Sequence, residues 1–154
     1  MPKKNKTKAI SFKKAVENTP DVAKCYQSGL QALGSYSKKI ELKDTSLCSG
    51  SIDIDACTTT HYPEDNRWDY ALCYNSKVYF VEVHSANTGE VSTVFKKLTW
   101  LKDWLNHKAP EINKLKAPEP FYWVQSGKYK IEVRSSQARR IATMGLKPIP
   151  KLVL

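Results

Sequence analysis

Apolar and polar positions change their period repeatedly along the chain, and the changes divide it into elements. Ser11 is expected to cap a short helix reaching Asn18, with Pro20 at its end. From Asp21 to Leu33, the apolar residues Val22, Cys25, Tyr26, Leu30 and Leu33 recur at helical spacing. Gly34 follows where a C-cap glycine belongs, so the pattern predicts a helix over 21–33. The stretch to Ser49 mixes turns with a short strand around Ile40 to Leu42. Ser51 to Cys57 alternates, with Ile52, Ile54 and Ala56 on one side and Asp53 and Asp55 on the other. That pattern predicts a half-buried strand, with the two acids facing solvent at a sheet edge. Trp68 to Tyr74 and Val78 to His84 are rich in aromatic and β-branched residues and are separated only by Asn75, Ser76 and Lys77, which predicts a hairpin.

Asn87 with Glu90 three positions on forms a variant of the capping box. The stripe Val91, Val94, Phe95, Leu98, Leu101 and Leu105 then predicts a long helix that stops before Pro110. Phe121 to Gln125 and Lys130 to Val133 read as strands turned at Ser126-Gly127. Ser135 caps a last helix that turns Ala138, Ile141 and Ala142 inward and Arg139 and Arg140 outward, and Gly145 closes it. The sum is an α/β fold: helix, three-stranded antiparallel meander, long helix, further strands and a C-terminal helix, with no internal repeat.

Bulk composition adds limits. A chain of 154 residues with 41% hydrophobic and 26% charged residues is sized for one domain with a real core. No apolar run approaches the roughly 18 residues of a membrane span, which leads us to expect a cytoplasmic protein without a membrane partner. Cys25, Cys48, Cys57 and Cys73 are expected as reduced, buried thiols, since a chain of this length needs no staples. The net charge is +10, and Lys3, Lys4, Lys6, Lys8, Lys13 and Lys14 supply six of those charges within the first 14 residues. The distribution suggests a basic N-terminal arm over 1–20 and a domain over 21–154. Such an arm either solvates the chain or seeks phosphate.

The hairpin makes a sharper statement. If Asn75-Ser76 is a two-residue turn, paired residue numbers sum to 151, so that Cys73 faces Val78, Ala71 faces Phe80, Asp69 faces Glu82 and Arg67 faces His84. A three-residue loop without a bulge would instead put Asp69 and Glu82 on opposite faces. Two opposed carboxylates repel and call for a cation. A divalent ion such as Mg²⁺ or Mn²⁺ on Asp69 and Glu82 answers this, because hard oxygen ligands on rigid strands suit an ion that shares its other sites with water and phosphate. An ion pair with Arg67 or a helix lysine answers it equally.

These residues resemble a known superfamily. Trp68-Asp69-Tyr70 on one strand and Val81-Glu82-Val83-His84 on the next, in this order of elements, are similar to the PD-(D/E)XK nucleases with their restriction-endonuclease-like fold, over roughly Asp21 to Gln125. The resemblance implies that Asp69 and Glu82 bind Mg²⁺. His84 occupies the position of the motif lysine, a departure from the pattern. A neutral His84 can orient or deprotonate a water or bind the metal; alternatively the amine comes from Lys96 or Lys97 on the long helix, as in members that have moved it; or the site has decayed.

Other constellations carry less. Cys48, Cys57, His61, Cys73 and His84 match no zinc-knuckle spacing, and nothing brings His61, His84 and His107 together for metal-free ribonuclease chemistry. Trp100, Trp104, Trp123 and Tyr122 are either stacking faces for bases or core. The function expected is hydrolysis of phosphodiester bonds in DNA or RNA by a metal-dependent nuclease, with Asp69, Glu82, His84, Lys96 and Lys97 at the chemistry. Lys13, Lys14, Lys102, Arg139 and Arg140 would hold the backbone. The alternatives are a catalytically inactive nuclease-fold protein that binds nucleic acid or a protein partner, and a metal-independent interaction protein. By analogy with nucleases that cut duplexes in pairs, a homodimer is compatible with the first reading.

Overall fold

The structure, a computed structural model, describes residues 10–154. Lys3, Lys4, Lys6 and Lys8 of the expected arm lie outside the described residues. At the centre are strands β3 (Cys48–Asp53), β4 (Tyr70–Tyr74) and β5 (Lys77–His84), paired antiparallel in sequence order. Asn75 and Ser76 turn the β4–β5 hairpin with φ of 48° and 65°, the left-handed pair that a two-residue type I′ turn demands. The register follows: Cys73 pairs with Val78 and Ala71 with Phe80, as the expected turn requires.

Helix α3 (Val91–His107) and the short α4 (Pro110–Lys114) then carry the chain over one sheet face to β6 (Lys116–Gln125), which lies parallel to β5. A two-residue strand β1 (Gln27–Ser28) pairs with the other side of β3, giving a five-stranded mixed sheet in the order β1-β3-β4-β5-β6. On the α3 face, Ile52, Ala71, Phe80 and Trp123 pack against Val94, Phe95, Leu98 and Leu101. On the opposite face, Leu72, Val81, Val83 and Val124 pack against Leu33, Ile40 and Leu152. The last two residues come from β2 (Ile40–Glu41) and β7 (Leu152–Val153), a small parallel pair. Because β5 is covered on both sides, its stretch from Val78 to Val83 is apolar at every position except Glu82, as an interior strand requires.

Several expectations need correction. Residues 21–33 form no long helix: a 3-10 turn at Pro20–Val22 and β1 stand in its place, and Gly29, with φ of 53°, breaks the run. Sheet contacts override the helical period here, since the ring of Tyr26 lies where a side chain at Gly50 would be, and its hydroxyl donates to the Ser49 carbonyl at 2.6 Å. The strand expected over 51–57 stops at Asp53, whose carboxylate accepts from the Ala56 N–H at 2.8 Å and caps α2 (Ile54–Thr58). Asp53 and Asp55 therefore do not line an edge strand, and β3 lies between β1 and β4. The inward-facing polar position, Ser51, is explained by the Ala32 N–H that its hydroxyl accepts at 3.1 Å.

Lys130 to Val133 form no strand; a single bridge joins Lys130 to Asn87. Ser135 and Gly145 do cap helix α5 (Ser136–Met144), but Ala142 is exposed. At the other end, helix α1 (Phe12–Glu17) is capped by Ser11 and buries Phe12, Ala15 and Val16 in the core, so residues 12–17 belong to the domain and not to a free arm. Cys25 and Cys57 form a disulfide, contrary to the expected thiols, while Cys48 and Cys73 are free and buried. Among the described residues, no helix is long and apolar enough to cross a membrane.

Candidate functional site

The residue preceding β4 is Asp69, and the hairpin register carries it to the height of Glu82 on β5. Trp68, fully buried, fixes the approach to the strand by donating its indole N–H to the Tyr70 carbonyl at 3.2 Å. The Asp69 carbonyl is held in turn by the N–H of Ile54 at 2.8 Å. Glu82 is completely buried, yet it sits on the face that α3 covers, two residues beyond Phe80.

Four carboxylate oxygens divide their work. Asp69 Oδ2 accepts from the Val83 backbone N–H at 3.1 Å, and Glu82 Oε1 accepts from the Asp69 backbone N–H at 3.1 Å. The remaining oxygens, Asp69 Oδ1 and Glu82 Oε2, both meet the ammonium of Lys97, which donates to Asp69 at 3.4 Å and bonds Glu82 more closely. Lys97 stands on α3 in the row of Val94 and Leu101, three residues after one and four before the other, which aims it at the sheet. Lys96 is exposed and takes no part. His84, in the position of the motif lysine, contacts Glu82 Oε2 through Nδ1 at 3.1 Å and Glu90 Oε2 through Nε2 at 2.8 Å.

Burial and charge push the protons inward. Burial, and then the neighbouring charge of Glu82, raise the Asp69 carboxyl to about 7, with Lys97 pulling against them. The hydrogen bond to the Glu82 carboxylate raises the His84 imidazole above its usual value; burial opposes it, and Glu90 adds to the rise. Burial pulls Lys97 down, but Glu82 and Asp69 outweigh it, so the ammonium keeps its proton more firmly than a free lysine does.

The remaining candidates lie elsewhere. Arg67 does not face His84; its guanidinium bonds Asp55 at 2.9 Å and the Tyr62 carbonyl at 2.6 Å, because Asp65 and Arg67 lie in a turn before the strand begins. Lys13 and Lys102 lie over the rings of Tyr26 and Phe121, and Arg140 over Phe95; Lys14 and Arg139 are exposed. None of these five bonds to the carboxylate cluster. Trp104 and Trp123 are buried, and their indole N–H groups are committed to Asp21 and to the His84 carbonyl, both at 3.1 Å. Trp100 and Tyr122 are partly buried. His107 contacts the Asp103 carbonyl and His61 lies beside Tyr62, so neither joins His84.

Glu90 is the member that the sequence did not reveal. Its expected capping role is absent: Asn87 makes no side-chain cap bond, and Glu90 reaches back to His84 instead. Its only signal was its position between β5 and α3. Among the described residues, no three His, Cys, Asp or Glu side chains are grouped to hold a metal ion. Two carboxylates do suit a small hard cation that keeps several waters, so Asp69 Oδ1 and Glu82 Oε2 are the donors that Mg²⁺ or Mn²⁺ would share with solvent and phosphate. No family model, no curated protein and no solved structure matches the chain.

Proposed function

We propose that the protein is a metal-dependent nuclease of the PD-(D/E)XK kind, hydrolysing phosphodiester bonds of DNA or RNA. The observation that carries the reading is the convergence of one oxygen from Asp69 and one from Glu82 on the ammonium of Lys97. Two acids on neighbouring strands with a lysine between them form a polar centre of the composition that phosphoryl hydrolysis uses. The mixed sheet and its long helix are compatible with the restriction-endonuclease-like arrangement.

In this reading Asp69 and Glu82 hold Mg²⁺ or Mn²⁺, which when bound neutralises charge on the scissile phosphate and makes water a better nucleophile. Lys97 is the group we assign to the attacking water or to a phosphate oxygen, a role its ammonium can take when it no longer has to neutralise both acids. The backbone N–H bonds to Oδ2 and Oε1 keep both carboxylates aimed while that exchange occurs. His84, itself held by Glu90, orients Glu82 through the same oxygen that bonds Lys97.

A second reading has its own support, since among the described residues every buried side-chain nitrogen and oxygen has a hydrogen-bond partner within the chain. A network so complete also suits a non-catalytic member of the same fold, in which Lys97 is a permanent counter-ion. Calorimetric titration with Mg²⁺ and Mn²⁺, run beside a nuclease assay on the wild type, Asp69→Asn, Glu82→Gln and Lys97→Ala, separates the two. The nuclease reading expects metal binding that both acid variants abolish and cleavage that all three variants lose. Absence of metal binding in the wild type sinks it and leaves the counter-ion reading.

A further inference from the structure

We propose that the segment joining β6 to α5, residues 126–135, is a binding site for an unpaired stretch of DNA, with Tyr129 stacking on a base and Lys128, Lys130 and Arg134 holding phosphates. The inference rests on the reading of the carboxylate cluster as a nuclease centre.

The segment is fastened along the end of the strand that carries the cluster. Ser126 donates its N–H to the His84 carbonyl at 3.1 Å, and Lys130 donates to the Ala86 carbonyl at 2.8 Å. Glu132 donates its N–H to the Thr88 hydroxyl at 3.0 Å, in the same turn that holds Glu90. Ile131 anchors the middle of the segment in the core. With the main chain held against His84, Ala86 and Thr88 and with Ile131 buried, the side chains of Lys128, Tyr129, Lys130, Val133 and Arg134 are exposed to water. Tyr129 is 43% exposed and Val133 87%, so this basic surface also presents apolar faces.

Charge explains why such a surface is needed here. Asp69, Glu82 and Glu90 make the cluster itself a poor landing place for phosphate, so affinity has to come from its border. From Lys128 to Arg140 the chain carries Lys128, Lys130, Arg134, Arg139 and Arg140 against one acid, Glu132. The exposed tyrosine selects the form of the polymer: an aromatic ring stacks on a base whose face is open, whereas bases within a duplex already cover one another. Lysines and arginines alone would not discriminate in this way.

The test is fluorescence anisotropy on the full chain in EDTA, with one labelled DNA sequence offered as a single strand and as a duplex, and the corresponding RNA strand, over a range of salt. The expected order is single-stranded DNA tightest. Tyr129→Ala should weaken that binding about tenfold while leaving the duplex unchanged. Lys128→Ala, Lys130→Ala and Arg134→Ala should each make the salt dependence shallower by about 0.7 in the logarithmic slope. All four residues are exposed, and unchanged melting curves verify that the variants are folded. Tighter binding of the duplex or of RNA, or a Tyr129→Ala variant that binds single-stranded DNA like the wild type, overturns the proposal. Metal-dependent cleavage with unaltered binding in the loop variants would discard the loop and keep the nuclease. Loop-dependent binding of single strands without cleavage under any divalent cation would support the loop and discard the nuclease.

Discussion

Asp69 donates its backbone N–H to the carboxylate of Glu82 at 3.1 Å, and the residue after Glu82 returns the bond to the carboxylate of Asp69 at the same distance. The crossed pair holds two mutually repelling acids side by side without using the oxygens that face α3. Asp69 Oδ1 and Glu82 Oε2 converge on Lys97, Oε2 also meeting His84, and the balance of the cluster depends on what occupies the space between them.

Replacing Lys97 by methionine removes that charge and keeps the bulk. The metal-free variant should lose about 3–5 kcal/mol, the usual cost of breaking a buried ion pair from one side. Millimolar Mg²⁺ or Mn²⁺ should then restore part of the loss, which thermal melting with and without the ion measures. A variant that melts identically in both conditions would show that the acids do not accept a divalent cation.

In the absence of metal, stability should fall as pH rises. The folded-state value of Asp69, about 7, lies above that of an unfolded carboxyl, so between about 4 and 7 the folded chain holds a proton that the unfolded chain has lost. The Asp69 contribution is complete below the unfolded value and gone above the folded one. His84 has the same sign, because its value is also raised on folding. Denaturant titrations from pH 4 to pH 9 on the wild type and Asp69→Asn should show a steeper decline in the wild type, with the two curves diverging most between about pH 4 and 7. A parallel pair of curves would contradict the burial of Asp69.

The hairpin turn offers a gain. Ser76 holds φ at 65°, which costs an L-residue other than glycine about 1 kcal/mol, so Ser76→Gly should raise stability by about that amount in a denaturant titration. Gly50→Ala should do the opposite, by about 1–3 kcal/mol, because the new methyl meets the ring of Tyr26.

The disulfide can be checked directly. Cys25 and Cys57 are separated by 32 residues, and closing a loop of that order stabilises a fold by about 2–4 kcal/mol. Reduction, or Cys25→Ser, should lower the melting temperature, while Cys48→Ser should leave the bond intact. Because such bonds are rare in a reducing cytosol, thiol trapping of the protein at cell lysis also tests the expected cytoplasmic location. Two free thiols per chain are expected if the bond persists in the cell, and four if it does not.

What could be read beforehand follows a physical division. The pairing of Asp69 with Glu82 was legible because a two-residue turn fixes parity locally, through the conformations of Asn75 and Ser76. The stripe of α3 was legible for the same kind of reason, and it contained an unused clue: Lys97 shares the row of Val94 and Leu101, whereas Lys96 shares the row of Trp100. Residues 21–33 misled because Val22, Cys25, Tyr26, Leu30 and Leu33 are inward-facing for reasons distant in the chain. Cys25 is bound to Cys57, Tyr26 rests on Gly50, and Leu33 packs with Ile40 and Leu152. Glu90 was invisible because its partner, His84, is chosen by the path of the backbone between β5 and α3 and by no repeating pattern.

Since side chains alternate along β4 and β5, the register of their pairing acts as a counter with only two states. A slip of β5 by one residue against β4 would turn Glu82 toward Leu33 and Leu152 and bring a valine to meet Lys97, whereas residues added within the loop leave the pairs from Tyr74–Lys77 onward as they are. Tags and natural insertions at this exposed tip should therefore be tolerated at any length that keeps Tyr74 opposite Lys77, while the acids several residues away permit no slip of the strands themselves.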